Sequence, residues 1–229
     1  RLLVSCMTQS NIPKKPRIRL SPEARKAMIL DQAAKLVASE GVSAVSMERL
    51  GKEAGISKGL VYSYYQSVTV LLQELLTREY RHLRNLQFKA AESAGTLEQL
   101  VRRVTNVYLS YIHERGLLIE RLAMDPTIAN SGDPTLYDRN SAVDYIAEIF
   151  SDNFGIDMEI ARQTVDISYG IPAAAGQYIN HHDADPELIE DITVTMILGS
   201  LEAVQKKYKT SLKRLGKRKS GEDNLTQTS

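Results

Sequence analysis

The segment SMERLGKEAGISKGLVYSYY, residues 46–65, constrains the fold of this chain more than any other feature. Its pattern predicts a short helix on each side of a tight GIS turn. Gly55 supplies the positive φ needed just past a helix end, and Ser57 can cap the second helix through its side-chain oxygen. Apolar residues at helical spacing then seal a small core between the two helices.

The outer face of the second predicted helix carries Lys58, Gly59, Tyr62 and Ser63. This arrangement is a helix-turn-helix, whose second helix is able to lie in the major groove of DNA. A generic two-helix hairpin is the alternative interpretation, because such hairpins are common in all-helical proteins.

The residue order around this turn resembles that of a known family. GISKGLVYSYYQS is similar to the DNA-binding signature of the tetracycline-repressor (TetR/AcrR) family of bacterial transcription regulators. The resemblance runs from about Ala24 to Leu76, and it includes the alanine-rich helix ILDQAAKLVASEG and the aromatic Tyr65. It implies an all-α fold, in which an N-terminal three-helix helix-turn-helix domain (21–67) joins a larger helical ligand-binding and dimerisation domain (68–215).

The resemblance also implies which side chains meet double-stranded DNA. These positions are Ser46, Ser57, Lys58, Gly59, Leu60, Tyr62 and Ser63. Lys58 would supply charge to a phosphate or a guanine edge, and the Tyr62 phenol would bond a phosphate. Family members usually have lysine where Val68 stands and often threonine where Leu60 stands. Leu60 could instead meet a thymine methyl group.

Charge is unevenly distributed along the chain. Residues 14–58 hold ten basic and five acidic side chains, residues 59–205 hold ten basic and 21 acidic, and residues 206–219 hold eight basic and no acidic. Positive charge beside a helix-turn-helix suits a polyanion. Residues 1–20 are expected to form a basic flexible arm in which Arg17 and Arg19 reach DNA, although a solubilising tail is an equal alternative.

The rest of the chain is expected to be helical. Helices are predicted at about 68–93, 96–114, 117–124, 136–154, 158–180 and 186–215, followed by a disordered polar tail at 216–229. Pro172 is expected to bend its helix.

Small residues recur at helical spacing in the last two predicted helices. Gly170 and Ala174 lie four apart, as do Gly199 and Ala203. Glycine costs about 1 kcal/mol against alanine inside a helix, so its presence usually has a packing reason. The family resemblance implies a homodimer built from these helices, binding a palindromic operator. Tight packing within one subunit is the alternative.

A cavity for a small-molecule effector is also implied only by the resemblance. Candidate lining residues are Tyr108, Tyr111, Met124, Tyr145, Phe150, Tyr169 and Gln177. Each is otherwise an ordinary core residue. The absence of an evident cluster of buried charges favours a largely apolar effector, and the C-terminal half loosely resembles the acyl-chain-sensing branch of the family.

Two other classes of function compete with a regulator. The run HHDAD at 181–185 offers imidazoles and carboxylates for a metal-dependent hydrolase, but adjacent side chains point in different directions, and Asp185 is an expected helix cap. The second competing class is a helical adaptor that binds only protein. Such a function would leave the basic arm and Lys58 unexplained. We therefore expect no enzyme activity, no metal and no cofactor.

Composition fits this interpretation. The single cysteine, Cys6, excludes an internal disulfide and suits the cytoplasm, and no apolar run reaches the roughly 20 residues that cross a bilayer. Met7 is a candidate natural start. The sequence thus predicts a cytoplasmic, ligand-responsive repressor that binds DNA as a homodimer, without revealing the effector, the operator or the direction of the ligand response.

Overall fold

A computed structural model describes residues 20–129 and 136–222, with side chains at 20–129 and 140–208. Within those ranges every regular element is helical. The α-helices are α1 (Pro22–Glu40), α2 (Met47–Glu53), α3 (Lys58–Tyr64), α4 (Val68–Glu92), α5 (Leu97–Ala123), α6 (Pro126–Ala129), α7 (Leu136–Phe154), α8 (Met158–Ser168), α9 (Gly170–His181) and α10 (Pro186–Glu222), and a 3-10 turn spans Val42–Ala44. The predicted all-α class is confirmed.

Helices α1 to α3 form a small N-terminal unit. Each begins at a serine whose side chain accepts a backbone N–H: Ser21 from Ala24 at 3.1 Å, Ser46 from Arg49 at 3.1 Å, and Ser57 from Leu60 at 3.2 Å. These caps satisfy donors that a helix start leaves without partners. The interior of the unit is fully buried, and it contains Ile29, Ala33, Val37, Leu50 and Val61.

The long helices α4 and α5 connect this unit to the remainder of the described chain. One continuous core runs from Ile29 in α1 through Leu75 in α4 to Leu122 in α5. A second core joins α7, α8 and α10 around Phe150 and Val194, both completely buried. The N-terminal unit is therefore packed directly onto α4 and α5, and α5 also borders the second core through Val101.

The prediction of a helix break near residue 115 is wrong, because α5 continues through Gly116. A Cβ atom at this position would lie 2.2 Å from Nδ2 of Asn180 in α9. Glycine here permits close approach of two helices, and its packing role outweighs its low helix propensity.

The single helix predicted over 158–180 is divided at Tyr169 into α8 and α9. Pro172 lies in the first turn of α9, where its missing N–H costs no helical hydrogen bond. At the other end of the chain, α10 extends to Glu222, into the predicted tail. Residues 223–229 lie outside the described ranges.

None of the described helices is both long enough and apolar enough to cross a bilayer.

Candidate nucleic-acid interface and ligand cavity

The turn between α2 and α3 has the geometry that its sequence predicts. Gly55 has φ +65°, in the left-handed region that favours glycine. The N–H of Ile56 donates to the carbonyl of Gly51 at 2.9 Å, which closes the end of α2. Ser57 then starts α3, so the chain reverses within four residues.

Gly51 is a structural requirement that the sequence reading did not identify. A Cβ atom on Gly51 would lie 2.9 Å from the carbonyl oxygen of Ile56 and 3.2 Å from the backbone nitrogen of Lys58. Both contacts are with backbone, which cannot rotate away as a side chain can. Glycine at 51 therefore allows the start of α3 to lie against α2.

Helix α3 has one buried face and one exposed face. Val61 is completely buried, whereas Tyr62 is 49% exposed. Lys58 is exposed, and its Nζ lies 3.9 Å from Oε2 of the exposed Glu48, which is a weak surface contact. Ser63 is exposed too, and its hydroxyl donates to the carbonyl of Leu60 at 2.7 Å.

Gly59 lies on the same exposed face and has open space around it. A Cβ atom there would meet nothing within 4 Å. Packing within the described chain therefore gives no reason for glycine at 59, in contrast to Gly51.

The structure thus gathers four of the predicted DNA-contact residues, Lys58, Gly59, Tyr62 and Ser63, on one solvent-facing side of α3. Leu60 is half-buried beside them. Ser46 and Ser57 act as helix caps, and both are exposed. Arg17 and Arg19 lie outside the described residues.

One ion pair joins two helices of the N-terminal unit, and an arginine of α5 donates hydrogen bonds to that unit. The guanidinium of Arg49 in α2 donates to both carboxylate oxygens of Glu40 in α1, at 2.8 and 2.5 Å. That hydrogen bond lowers the pKa of Glu40. From α5, Nη1 of Arg121 donates to the carbonyls of Val37 and Ala38 at 2.8 and 2.7 Å, and so caps the last turn of α1.

A buried carboxylate joins α4 to α5. Glu79 is 2% exposed and accepts hydrogen bonds from Arg115 at 3.0 and 3.1 Å, from Tyr111 at 2.8 Å and from Arg78 at 3.2 Å. Burial acts to raise the pKa of Glu79, but the hydrogen bonds and the two positive charges outweigh it, so the net shift is downward. Arg78 also donates to Asp31 of α1 at 2.7 Å. This Glu79 cluster therefore links α5, α4 and the N-terminal unit.

A cavity of about 440 Å³ lies between helices α4, α5 and α7 to α10, beside the Tyr169 break. Its lining is mainly aliphatic and comprises Tyr80, Leu83, Arg84, Gln87, Leu100, Val101, Val104, Thr105, Tyr108, Ile146, Val165, Ser168, Tyr169, Gly170, Pro172, Ala173, Ile197 and Leu201. Cavities of this size hold small molecules.

Two of the seven candidate ligand residues, Tyr108 and Tyr169, line this cavity. Tyr111 contacts Glu79 instead, and Phe150 lies in the second core. Met124 and Gln177 are exposed, and Tyr145 borders a smaller neighbouring pocket. Arg84 and Gln87 also line the cavity. The sequence gives no signal for them, because polar residues in a helix usually face solvent.

The four candidate dimer residues, Gly170, Ala174, Gly199 and Ala203, are all solvent-exposed. A Cβ atom on Gly170 or Gly199 would meet nothing within 4 Å. The neighbouring Gly176 differs, because a Cβ atom there would lie 2.9 Å from Cγ2 of Ile112. The alternative of packing within one subunit thus applies to Gly176, whereas Gly170 and Gly199 face outward.

These small residues lie among exposed apolar side chains on α8, α9 and α10. Their exposed fractions are 78% for Ile167, 47% for Tyr178, 56% for Leu188, 45% for Ile192 and 55% for Met196. Helices α9 and α10 pack against each other. Exposed apolar surface of this extent is typical of an interaction site.

Three residues of the HHDAD run, His181, His182 and Asp185, have separate partners. Nε2 of His181 lies 3.1 Å from Glu120, the ring of His182 stacks on Tyr178 at 4.1 Å, and Asp185 accepts the N–H of Glu187 at 3.0 Å. No group of three or more potential metal ligands occurs among the described residues.

Comparison with known proteins gives one family match. Residues 29–75 match the family model described as bacterial regulatory proteins, tetR family. A curated relative, the HTH-type transcriptional regulator BetI of Rhizobium meliloti (strain 1021), is 28% identical over 92 residues, which are 40% of this chain and 45% of that protein. The match thus spans under half of the relative's length.

Solved structures with the same fold cover most of the chain. A TetR-like transcriptional regulator from Rhodococcus sp. RHA1 has a TM-score of 0.63 at 18% identity, over 80% of this chain and 99% of that one. The fatty acid degradation regulator FadR from Bacillus halodurans has a TM-score of 0.66 at 15% identity, over 79% and 96%. At these identities the likeness concerns the fold alone.

Proposed function

Because this chain belongs to the tetR family of bacterial regulatory proteins, we propose that it is a transcriptional repressor that binds a palindromic DNA operator as a homodimer and responds to a small molecule. The observation that carries the proposal is the exposed face of α3. That face presents Lys58, Gly59 and Tyr62 on a firmly capped helix-turn-helix.

In the proposed complex α3 lies in the major groove. Lys58 is held only by a weak contact at 3.9 Å to Glu48, so little is lost when it turns to a phosphate or a guanine edge. The Tyr62 phenol, half of it in solvent, donates to a phosphate. Gly59 lets the helix backbone approach the groove wall. Arg17 and Arg19 add contacts from the N-terminal arm.

The proposed dimer uses the exposed apolar face of α8, α9 and α10. The outward-facing Gly170 and Gly199 leave space for a partner helix, and Met196 and Ile192 supply apolar area. For both copies of α3 to enter successive turns of the major groove, a two-fold axis through this face must place them about 34–36 Å apart.

The proposed effector site is the cavity beside Tyr108 and Tyr169. Its aliphatic lining supports a largely apolar ligand.

The proposed response is thermodynamic linkage between the cavity and the operator. Helix α4 lines the cavity through Leu83 and begins at Val68, with three residues between it and the end of α3. A ligand that shifts α4 therefore changes the separation of the two recognition helices. Coupling of about 1–3 kcal/mol is enough to release an operator in the cytoplasm.

Selection from a pool of random DNA duplexes with the full-length protein tests this function. We expect an enriched palindrome whose half-sites lie one helical turn apart. Tyr62→Phe and Lys58→Ala should weaken binding to that palindrome while leaving oligomeric state unchanged. The proposal fails if no sequence is enriched with or without added cell extract, which would favour a protein-binding adaptor.

A further inference from the structure

The charged side chain and the amide side chain among the described lining residues both lie on α4. Arg84 and Gln87, together with Tyr80, lie within two helical turns on one face of that helix. The other polar lining groups are the hydroxyls of Thr105, Tyr108, Ser168 and Tyr169, and the described lining residues of α10 are Ile197 and Leu201. The charged side of the cavity is thus on α4.

Arg84 is a charged side chain at the edge of an apolar cavity. It is half-buried, and its hydrogen bond to Oε1 of Gln87 is long, at 3.4 Å. Among the described residues no carboxylate lies within 4 Å of Arg84. By contrast, Arg78 and Arg115, on the same helix pair, both contact Glu79.

Among the residues with described side chains, no neighbouring group neutralises this charge. Glu79 is occupied by Arg115, Arg78 and Tyr111. Burial, the largest influence, raises the pKa of the Tyr108 phenol, so it is uncharged at neutral pH. A guanidinium that is partly removed from water has lost some of its hydration. It is stabilised when an anion binds to it and replaces that hydration.

Arg84 also marks one end of the cavity. Together with Gln87, Val104, Ile146 and Tyr169 it lines both the main cavity and a smaller pocket of about 30 Å³. A ligand can therefore place a head group at this boundary and its apolar body along Val101, Val165 and Leu201.

From this geometry we infer that the effector is an apolar organic acid, whose anionic head binds Arg84 and Gln87 while its hydrocarbon body fills the aliphatic part of the cavity. The inference rests on the proposed role of this cavity as the effector site. A carboxylate and a phosphate monoester share the required charge and geometry for bidentate binding by arginine.

Calorimetric titration of the full-length protein with matched chain-length series tests the inference. Straight-chain carboxylates, alkyl phosphates, primary alcohols and primary amines are compared at each length from six to fourteen carbons. We expect the best anion to bind about 10- to 100-fold more tightly than the alcohol of the same length, because charged hydrogen bonds contribute roughly 1.5–3 kcal/mol. The better of the two anionic series identifies the head group.

Three variants separate the role of the charge from that of packing. Arg84→Met keeps most of the side-chain volume and should abolish the preference for anions while retaining alcohol binding. Arg84→Lys should retain part of the preference. Arg81→Met removes an exposed arginine of the same helix that does not line the cavity, and it should leave the preference unchanged.

The inference is overturned if no acid or phosphate of any length binds better than its alcohol, or if Arg84→Met keeps the wild-type preference. The operator selection described above is carried out without ligand. A protein that enriches a palindrome but shows no anion preference would therefore contradict the ligand class alone, and one that enriches nothing would contradict the regulator.

Discussion

Two glycines of the helix-turn-helix offer opposite tests of packing and function. Gly51 and Gly59 lie eight residues apart, and each lies within a short helix. A methyl group on Gly51 would contact backbone at 2.9 and 3.2 Å, whereas one on Gly59 would meet nothing within 4 Å. Alanine should therefore have opposite effects on stability at the two positions.

The magnitudes follow from helix propensity and overpacking. Replacing an unhindered helical glycine with alanine stabilises by about 0.5–1 kcal/mol, so Gly59→Ala should raise the free energy of unfolding by up to that amount. Overpacking costs about 1–3 kcal/mol, and at Gly51 the contacted atoms cannot rotate away. After the propensity gain is subtracted, we expect Gly51→Ala to lower the free energy of unfolding by about 1–2 kcal/mol.

At Gly59, substitution by alanine should change DNA affinity and folding stability in opposite directions. If the backbone of α3 approaches the groove wall at this residue, an added methyl group meets DNA, and a cost of about 1–3 kcal/mol corresponds to a loss of about 5- to 150-fold in affinity. Gly59→Ala should thus be the more stable protein and the weaker binder.

The assay pairs urea denaturation, followed by far-ultraviolet circular dichroism, with fluorescence anisotropy of a labelled operator duplex. Binding is measured at a temperature where both variants are fully folded. Wild-type operator affinity in Gly59→Ala would refute the close approach at α3. A less stable Gly59→Ala would refute the open surroundings of that residue, and an unchanged Gly51→Ala would refute the α2–α3 contact.

Three further predictions concern the supporting structure. Glu79→Gln should lower the free energy of unfolding at pH 7 by about 1–3 kcal/mol, because two partly exposed arginines lose their buried partner. Since the pKa of Glu79 is lowered in the folded state, this difference should be present above the unfolded carboxyl pKa and shrink as pH falls through the lower, folded value. In a series of urea titrations from pH 7 down to about pH 3, a difference that stays constant would contradict this prediction. Arg121→Met should destabilise by about 1–2 kcal/mol in thermal unfolding, because two α1 carbonyls lose a charged donor, and an unchanged melting temperature would count against that cap. Met196→Glu should give a monomer in sedimentation velocity, whereas the matched control Leu117→Glu, on exposed surface of α5, should not; a dimer in both would place the interface elsewhere.

Local chemistry accounts for what the sequence predicted well. The caps at Ser46 and Ser57 and the positive φ of Gly55 depend on residues within four positions, so a linear reading identifies them. The family resemblance then supplied the fold class, which the structure confirms.

Long-range packing accounts for what it missed. In the sequence, Gly116 indicates a helix break. In the structure it lies inside α5, where the absence of a Cβ atom leaves room for the side chain of Asn180, 64 positions away along the chain. Tyr108 and Tyr111 lie within one turn of the same helix, yet one lines the cavity and the other binds Glu79. Helical periodicity places both near the interior but cannot decide between a cavity wall and an ion cluster.

The Glu79 cluster limits how a ligand can act on the operator. Arg115 and Tyr111 of α5 hold Glu79 by three hydrogen bonds in a buried site, so separating α4 from α5 at this point would leave a buried charge without partners. Arg84 lies five residues further along α4, toward the cavity. A ligand that pulls on Arg84 should therefore tilt α4 about the Glu79 cluster instead of sliding it along α5. Because Arg78 ties the same point to Asp31 of α1, such a tilt is carried into the N-terminal unit. The coupling in the proposed mechanism is thus an angular change of the recognition helices about a fixed ionic contact.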